Sequence, residues 1–260
     1  MTSVVIEKNS TRESEELLVR EAATKRNWTI SDVPLKALRR GHFDTTVADL
    51  VIGTVPFVAA ALRQRGLDLP QDDCYPVCLR SFLSRSLKLA TLGQAKAALE
   101  DMHPAIFVKP ATRTKRFTGF VLEDPFDMRV ADVPSREPIW LSEVVEWRSE
   151  WRCYVSNHEI AHVSYCSGGR DAEPDFQAVR LAIESYAPNG APSGYAMDVG
   201  VLADGRTALI EVNDGYSLGA YEGLAAETYF DLMLTRWREM TALELNIGQG
   251  LTPPDTPSKP

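Results

Sequence analysis

The sequence predicts an α+β protein, in which an N-terminal α/β portion precedes a region built from antiparallel hairpins. Two observations lead to this prediction. In residues 1–104, short apolar strand patterns alternate with amphipathic helix patterns. In residues 105–247, apolar runs come in pairs separated by turn sequences, of which Asp204-Gly205 is the clearest hairpin signal. The Pro-rich tail, residues 248–260, has too few apolar side chains to pack, and we expect it to be disordered.

The N-terminal portion contains strand and helix patterns in alternation. Strand patterns cover residues 4–6, 27–30 and 50–53, and helix patterns cover residues 10–25, 56–65 and 91–102. Capping boxes begin the first and third helices, at Ser10 with Glu13 and at Thr91 with Gln94. Pro104 ends the third helix, because the residue before a proline disfavours helical geometry.

The second portion is predicted to consist of hairpins and two helices. Its paired strand patterns are residues 106–108 with 117–122, 151–155 with 159–164, and 195–202 with 207–213. The helices are expected over residues 175–186 and 222–243. Strands joined by short turns run antiparallel, so this portion should form antiparallel sheets.

Composition excludes several functional classes. The net charge is −8, with 36 acidic and 28 basic residues, which argues against a protein whose main task is to bind nucleic-acid backbone. The longest apolar stretch, residues 47–62, is too short and interrupted to span a membrane, and no secretory signal begins the chain. Four cysteines with no matching metal-ligand pair are typical of reduced thiols. We therefore expect a cytoplasmic protein with no nucleic-acid or membrane partner.

The Asp204-Gly205 hairpin carries the most informative polar residues. A two-residue type I′ turn at this dipeptide would pair Asp198 with Glu211 and place Asn213 on the same face. Like charges directly opposite destabilise a sheet unless a cation compensates, and Mg²⁺ prefers such oxygen ligands. The alternative is a solvent-facing acidic pair, and a register slip of one residue would separate the two carboxylates.

Basic residues surround the first hairpin of the second portion. Lys109 ends an apolar strand, and Lys115 lies in the loop that leads to Gly119. An ammonium group together with backbone N–H groups of a loop can hold phosphates. The alternative is that these lysines are ordinary solvated residues.

The segment L-S-E-V-V-E-W-R-S-E-W-R-C-Y-V places polar side chains in unusual strand positions. Glu150, Arg152 and Tyr154 share one face of a predicted strand. The planar guanidinium of Arg152 suits phosphate or carboxylate, although a surface strand with a cross-strand ion pair is the alternative.

The order of these features resembles the ATP-grasp superfamily, most closely its small members from bacteria and phages. The matching features are the strand lysine, the loop lysine with glycine, E-V-V-E, E-W-R, D-V-G-V and E-V-N-D, within residues 106–234. The resemblance implies an ATP-grasp-like fold that holds the nucleotide between two antiparallel sheets. Residues 1–104 would form the variable pre-grasp portion.

The resemblance also implies roles for individual residues. ATP would be bound by Lys109, Lys115, Gly119, Glu143, Val144, Val145, Glu146 and Glu150. Mg²⁺ would be held by Asp198, Glu211 and Asn213. Arg152, Lys115 and Arg170 would stabilise the transferred phosphoryl group. The loop T-R-T-K-R-F-T-G departs from the Gly-rich phosphate loop common elsewhere in the superfamily, which puts its contribution in doubt.

The implied activity is an ATP-dependent carboxylate–amine ligase that forms an amide through an acyl phosphate and releases ADP. Its substrates would be small-molecule or peptide carboxylates and amines. A phosphotransferase that uses the same nucleotide site, or a non-catalytic nucleotide-binding module, are the alternatives. A homodimer is the default expectation for an oligomer of such a chain.

Overall fold

The N-terminal portion forms a parallel sheet flanked by helices. The computed structural model describes residues 1–8, 13–71, 73–100, 105–111 and 117–247. Parallel strands β1 (Ser3–Glu7), β2 (Thr29–Val33) and β3 (Leu50–Ile52) pair in the order β2-β1-β3. The helices between and after them are α1 (Glu13–Lys25), α2 (Leu35–Arg39) and α3 (Val55–Gln64). The predicted α/β character of this portion is confirmed.

A four-stranded antiparallel sheet follows, which we call the first sheet. Its elements are β4 (Leu87–Thr91), α4 (Leu92–Glu100), β5 (Ile106–Pro110), β6 (Phe120–Leu122) and β7 (Pro138–Glu143), with strand order β4-β7-β5-β6. The prediction missed β4 and β7, and β4 lies before residue 105, where the hairpin portion was expected to begin. The Thr91 capping box is present, since the Gln94 N–H donates to the Thr91 hydroxyl at 3.3 Å.

A second antiparallel sheet, which we call the second sheet, completes the fold. Its strands are β8 (Trp147–Ser156), β9 (Glu159–Gly168), β10 (Gly194–Leu202) and β11 (Thr207–Asp214), in the order β11-β10-β8-β9. Because hairpin order leaves β11 at one edge, the outer hydrogen-bonding groups of β11 can be met by other segments. The prediction of two antiparallel sheets is confirmed.

Two helices complete the second portion. Asp175 caps α5 (Phe176–Tyr186), where its carboxylate accepts the Gln177 N–H at 2.8 Å. The last helix, α6, spans Ala226–Ile247 and starts later than predicted, since Gly223 has a left-handed φ of 85°. Its apolar face, including Phe230 and Trp237, packs into the core of the N-terminal sheet.

Some predictions fall on residues that the structure does not describe. These are the Ser10 capping box, the Pro104 helix end and the tail, residues 248–260. In the described ranges, no helix combines the length and apolar character needed to cross a bilayer.

Candidate functional site

A cleft of about 960 Å³ lies between the first and second sheets. It is lined by most of the residues singled out in the sequence, namely Lys109, Gly119, Glu143, Val144, Val145, Glu150, Arg152, Asp198, Glu211 and Asn213. Glu146 and Arg170 are not among the lining residues. Lys115 lies outside the described residues.

The hairpin of β10 and β11 does pair Asp198 with Glu211, but by a different route from the predicted one. The turn is a three-residue loop, residues 203–205, because the Leu202 N–H donates to the Arg206 carbonyl at 2.8 Å. This shifts the register by one at the tip. A β-bulge then restores it, since Leu209 opposes Val199 and the next pair is Asp198 with Glu211. The extra residue is Ile210.

Each carboxylate of this pair is matched by a cation from a neighbouring strand. Arg152 binds Asp198 in a bidentate pair, with both N–O distances 2.7 Å, and these side chains are only 10% and 15% exposed. Lys109 forms an ion pair with Glu211 across the cleft. The like-charge pair predicted from the hairpin is therefore compensated within the chain itself.

The Asn213 amide lies between the two carboxylates. Its Nδ2 donates to Asp198 at 3.0 Å and to Glu211 at 3.2 Å, so the three side chains surround one point. Oxygen-bearing side chains arranged in this way fit a hard divalent cation, which the Asn213 oxygen would meet after an amide flip. In the described ranges no group of three or more His, Cys, Asp or Glu side chains forms a metal site, so the amide is needed as the third ligand.

Burial and charge set the ionisation of this cluster. Burial raises the pKa of Asp198, and Arg152 offsets this shift only in part. Burial also acts to raise the pKa of Glu211, but the Lys109 ammonium outweighs it and holds that pKa below its usual range. Burial lowers the pKa of Lys109, yet the Glu211 carboxylate more than reverses this, and the net direction is upward. Lys109 and Glu211 are therefore both charged at neutral pH.

The connection from β7 to β8 borders the other side of the cleft. The Glu143 carboxylate accepts the Ser86 N–H at 2.9 Å and the Ser86 hydroxyl at 3.2 Å, so it is tied to the segment before β4. Val144 and Val145 follow it along the cleft wall. Glu150 lies deeper, and burial together with the nearby Asp198 charge raises its pKa.

Gly119 marks the point where the loop before β6 approaches β5. A Cβ at this position would lie 2.8 Å from the Phe107 ring, so only glycine fits without displacement. This close contact carries the loop along the cleft wall.

Arg170 differs from its predicted role. Its side chain is 66% exposed, stacks on Tyr165 at 4.3 Å and pairs with Glu222 at 3.1 Å. Because these contacts hold it outside the cleft lining, we assign it no part in the reaction.

The sequence analysis missed several residues of the cleft. Tyr75 lies 5.3 Å from the Lys109 ammonium, Tyr221 covers the Arg152 guanidinium at 4.8 Å, and Arg85 faces the Trp147 ring at 5.7 Å. Tyr75 and Arg85 belong to a segment in which no motif was found. A strand-like pattern had marked Trp147 as a packing residue only.

Comparison with known proteins agrees with this geometry. The family model of an ATP-grasp domain, the second family of its clade, matches residues 82–232, more than half of the chain. The chain belongs to this ATP-grasp family. A comparison with curated proteins found no sequence match.

Solved ATP-grasp structures share the fold of this family member. The D-cycloserine synthetase DcsG matches with a TM-score of 0.60 and 15% identity, covering 90% of this chain and 99% of that one. D-alanine–D-alanine ligase from Bacillus anthracis complexed with ATP gives 0.59 and 11%, covering 95% and 100%. The ligase PsnB complexed with a minimal precursor gives 0.54 and 13%, covering 90% and 99%. At these identities the likeness shows the ATP-grasp fold.

Proposed function

We propose that this chain is an ATP-dependent carboxylate–amine ligase that forms an amide bond through an acyl phosphate and releases ADP. The observation that carries the proposal is the cluster at the base of the cleft, where two buried carboxylates and an amide meet two cations. Membership of the ATP-grasp family, and ligases among the structures of the same fold, support it.

The nucleotide would occupy the cleft between the two sheets. Lys109 would contact its phosphates, and the loop ending at Gly119 would cover them. The main chain at residues 143–145 would bind the adenine edge, because it borders the cleft opposite the phosphate-binding lysine. Glu150 would reach the ribose. Lys115 keeps its proposed place in the covering loop.

Asp198, Glu211 and Asn213 would hold one or two Mg²⁺ ions. Magnesium bound there would neutralise charge on the terminal phosphates of ATP. Arg152 lies beside these ligands and would stabilise the transferred phosphoryl group and the acyl phosphate.

The reaction would proceed in two steps. An oxygen of the substrate carboxylate attacks the γ-phosphorus of ATP, the bond to the β-phosphate oxygen breaks, and ADP leaves. An amine then attacks the acyl carbon and displaces inorganic phosphate, while the amine releases its proton. Positioning and fixed charge carry both steps, so no enzyme nucleophile is required.

Trapping with hydroxylamine tests the first step without knowledge of the natural amine. The chain is incubated with ATP, Mg²⁺ and a panel of small carboxylic acids and peptides, and ADP and hydroxamate are measured. We expect both products in equal amounts and only when an acid is present. Formation of AMP and pyrophosphate would refute the acyl-phosphate route, and a stable phosphorylated acceptor seen by phosphorus NMR would support a phosphotransferase.

Two substitutions connect this activity to the cluster. Glu211→Gln and Asp198→Asn should abolish hydroxamate formation while the chain stays folded, and Lys109→Ala should weaken nucleotide binding. Arg170→Gln is the matched control, because this arginine lies outside the cleft lining. Normal kinetics in the Glu211 variant would remove the metal assignment.

A further inference from the structure

Arg85 makes an unusual set of hydrogen bonds at the free edge of β11. Its Nη1 donates to the Leu209 carbonyl at 2.8 Å, and its Nη2 donates to the Ile210 carbonyl at 2.7 Å. Nη1 also donates to the Leu83 carbonyl at 3.1 Å. One guanidinium therefore holds two successive carbonyls of β11 from a position more than 120 residues away in sequence.

Two successive carbonyls can face the same donor only where the strand is irregular. In a regular strand, neighbouring carbonyls point toward opposite edges, so one side chain reaches every second carbonyl. Leu209 and Ile210 form the β-bulge of β11, where an extra residue breaks this alternation. The Arg85 fork thus matches the bulged backbone and would not match a regular one.

The bulge decides which way Glu211 faces. Continuing the pairing of the hairpin tip without it would place Glu211 opposite Met197. Met197 is fully buried in the core on the other face of the sheet. A shift of one residue sends every later side chain to the opposite face, so loss of the bulge would turn Glu211 away from the cleft.

Other contacts of the same segment support this arrangement. The Cys74 carbonyl accepts the Val212 N–H at 3.0 Å, so residues on both sides of Glu211 are held from one segment. Ser86, next to Arg85, binds the Glu143 carboxylate at the end of β7. The segment therefore fixes the edge of β11 and links it to the first sheet.

Burial shows that the arginine is held in the structure rather than in solvent. Burial lowers the pKa of Arg85, and its guanidinium lies 5.7 Å from the Trp147 ring. Its hydrogen bonds to carbonyls use the planar fork, which lysine does not have.

We propose that Arg85 is a positioning residue for the magnesium ligand Glu211, acting through the bulge at Ile210. This inference rests on the proposed function, since it assumes that Glu211 binds Mg²⁺ together with ATP. Arg85 also lines the cleft, so direct contact with the nucleotide is the competing explanation that the experiment must separate.

The experiment measures binding of a non-hydrolysable ATP analogue by calorimetry, with Mg²⁺ and with EDTA. In Arg85→Gln, the apparent Mg²⁺ affinity should fall about 10- to 100-fold, as for other residues that orient a metal ligand. Affinity for the analogue in EDTA should stay within about twofold, because the inferred role acts through the metal ligand. Arg206→Gln is the matched control on the same hairpin, where the arginine is 67% exposed.

Two further variants keep the test decisive if Arg85→Gln is unstable. Arg85→Lys keeps the charge but loses the fork, so it should fold and still lose Mg²⁺ affinity. Deleting Ile210 removes the bulge directly, and its effect should not add to that of Arg85→Gln. Added guanidinium should restore Mg²⁺ affinity to Arg85→Ala and not to Glu211→Gln.

Different outcomes overturn different claims. Unchanged Mg²⁺ affinity in both Arg85→Gln and Arg85→Lys would overturn the positioning role. An equal loss of affinity with Mg²⁺ and with EDTA would show that Arg85 touches the nucleotide instead. If the unaltered chain binds no analogue in the presence of Mg²⁺, the proposed function itself fails.

Discussion

Replacing Lys109 with methionine should destabilise the chain, because the change leaves the Glu211 carboxylate buried beside Asp198 without its own cation. Methionine keeps the aliphatic volume of lysine and removes only the ammonium group. The substitution therefore isolates the electrostatic contribution of the ion pair at the base of the cleft.

Side-chain exposure sets the expected magnitude. Lys109 and Glu211 are 17% and 22% exposed, between the surface and the interior. Exposed pairs contribute about 0–1 kcal/mol, whereas removing one partner of a buried pair costs about 3–5 kcal/mol. We expect Lys109→Met to lower the free energy of unfolding by about 2–3 kcal/mol. In a chain of this size that corresponds to a fall in Tm of roughly 4–12 °C.

A double variant makes the prediction specific. In Lys109→Met/Glu211→Gln no charge is left unpaired at this position, and the new amide oxygen can still accept the Asn213 N–H that now reaches Glu211 at 3.2 Å. Its stability should return to within about 1 kcal/mol of the unaltered chain. Lys88→Met, at an exposed position of β4, is the matched control and should change stability by less than about 0.5 kcal/mol.

Urea unfolding at pH 7, followed by fluorescence and circular dichroism, measures all of these variants. The decisive comparison is between the single and the double variant. If Lys109→Met is no less stable than the double variant, the carboxylate does not depend on Lys109, and the reasoning from burial is wrong.

Three further predictions follow from individual contacts. Because the folded-state pKa of Glu211 lies below its unfolded value, its contribution to stability is complete at neutral pH. It should disappear as the pH falls below about 4.3, which urea titrations in acid would reveal against Glu211→Gln. Gly119→Ala would bring a Cβ within 2.8 Å of Phe107, so the Kd for ATP should rise about fivefold; unchanged binding would contradict the tight loop contact. Tyr154→Phe removes a hydroxyl that donates to the Gly219 carbonyl at 2.9 Å and accepts a backbone N–H of the same loop at 3.0 Å. Thermal unfolding should show a loss of about 1–3 kcal/mol, and an unchanged Tm would mean that water replaces the hydroxyl.

The acidic hairpin shows what a sequence pattern can predict and where it stops. Asp198 and Glu211 were correctly expected to oppose each other, but the predicted two-residue turn was wrong. Gly205 alone of the turn dipeptide adopts positive φ, at 85°, so the loop takes three residues. The bulge at Ile210 then cancels the resulting shift. Alternation along a strand carries no signal for a bulge, because an apolar isoleucine fits either arrangement.

Contacts between distant segments explain the residues that the sequence analysis missed. The segment that holds Tyr75 and Arg85 shows no periodic pattern, and it contributes to the site only by lying along the edge of β11. Strands β4 and β7 were missed for a related reason. They pair with each other across about 50 intervening residues, so no turn signal joins them.

The same hairpin changes the argument for a metal ion. Opposed carboxylates in a sequence suggest that a divalent cation must compensate them, yet Arg152 and Lys109 already do so in this structure. The cations are therefore held by the carboxylates until another positive charge replaces them. Lys109 and Arg152 can turn toward phosphate only if the carboxylates gain a new partner, and the carboxylates can bind a metal only if the lysine and arginine gain an anion. A nucleotide that arrives with its metal meets both conditions at once, which makes one cluster suited to bind the two together.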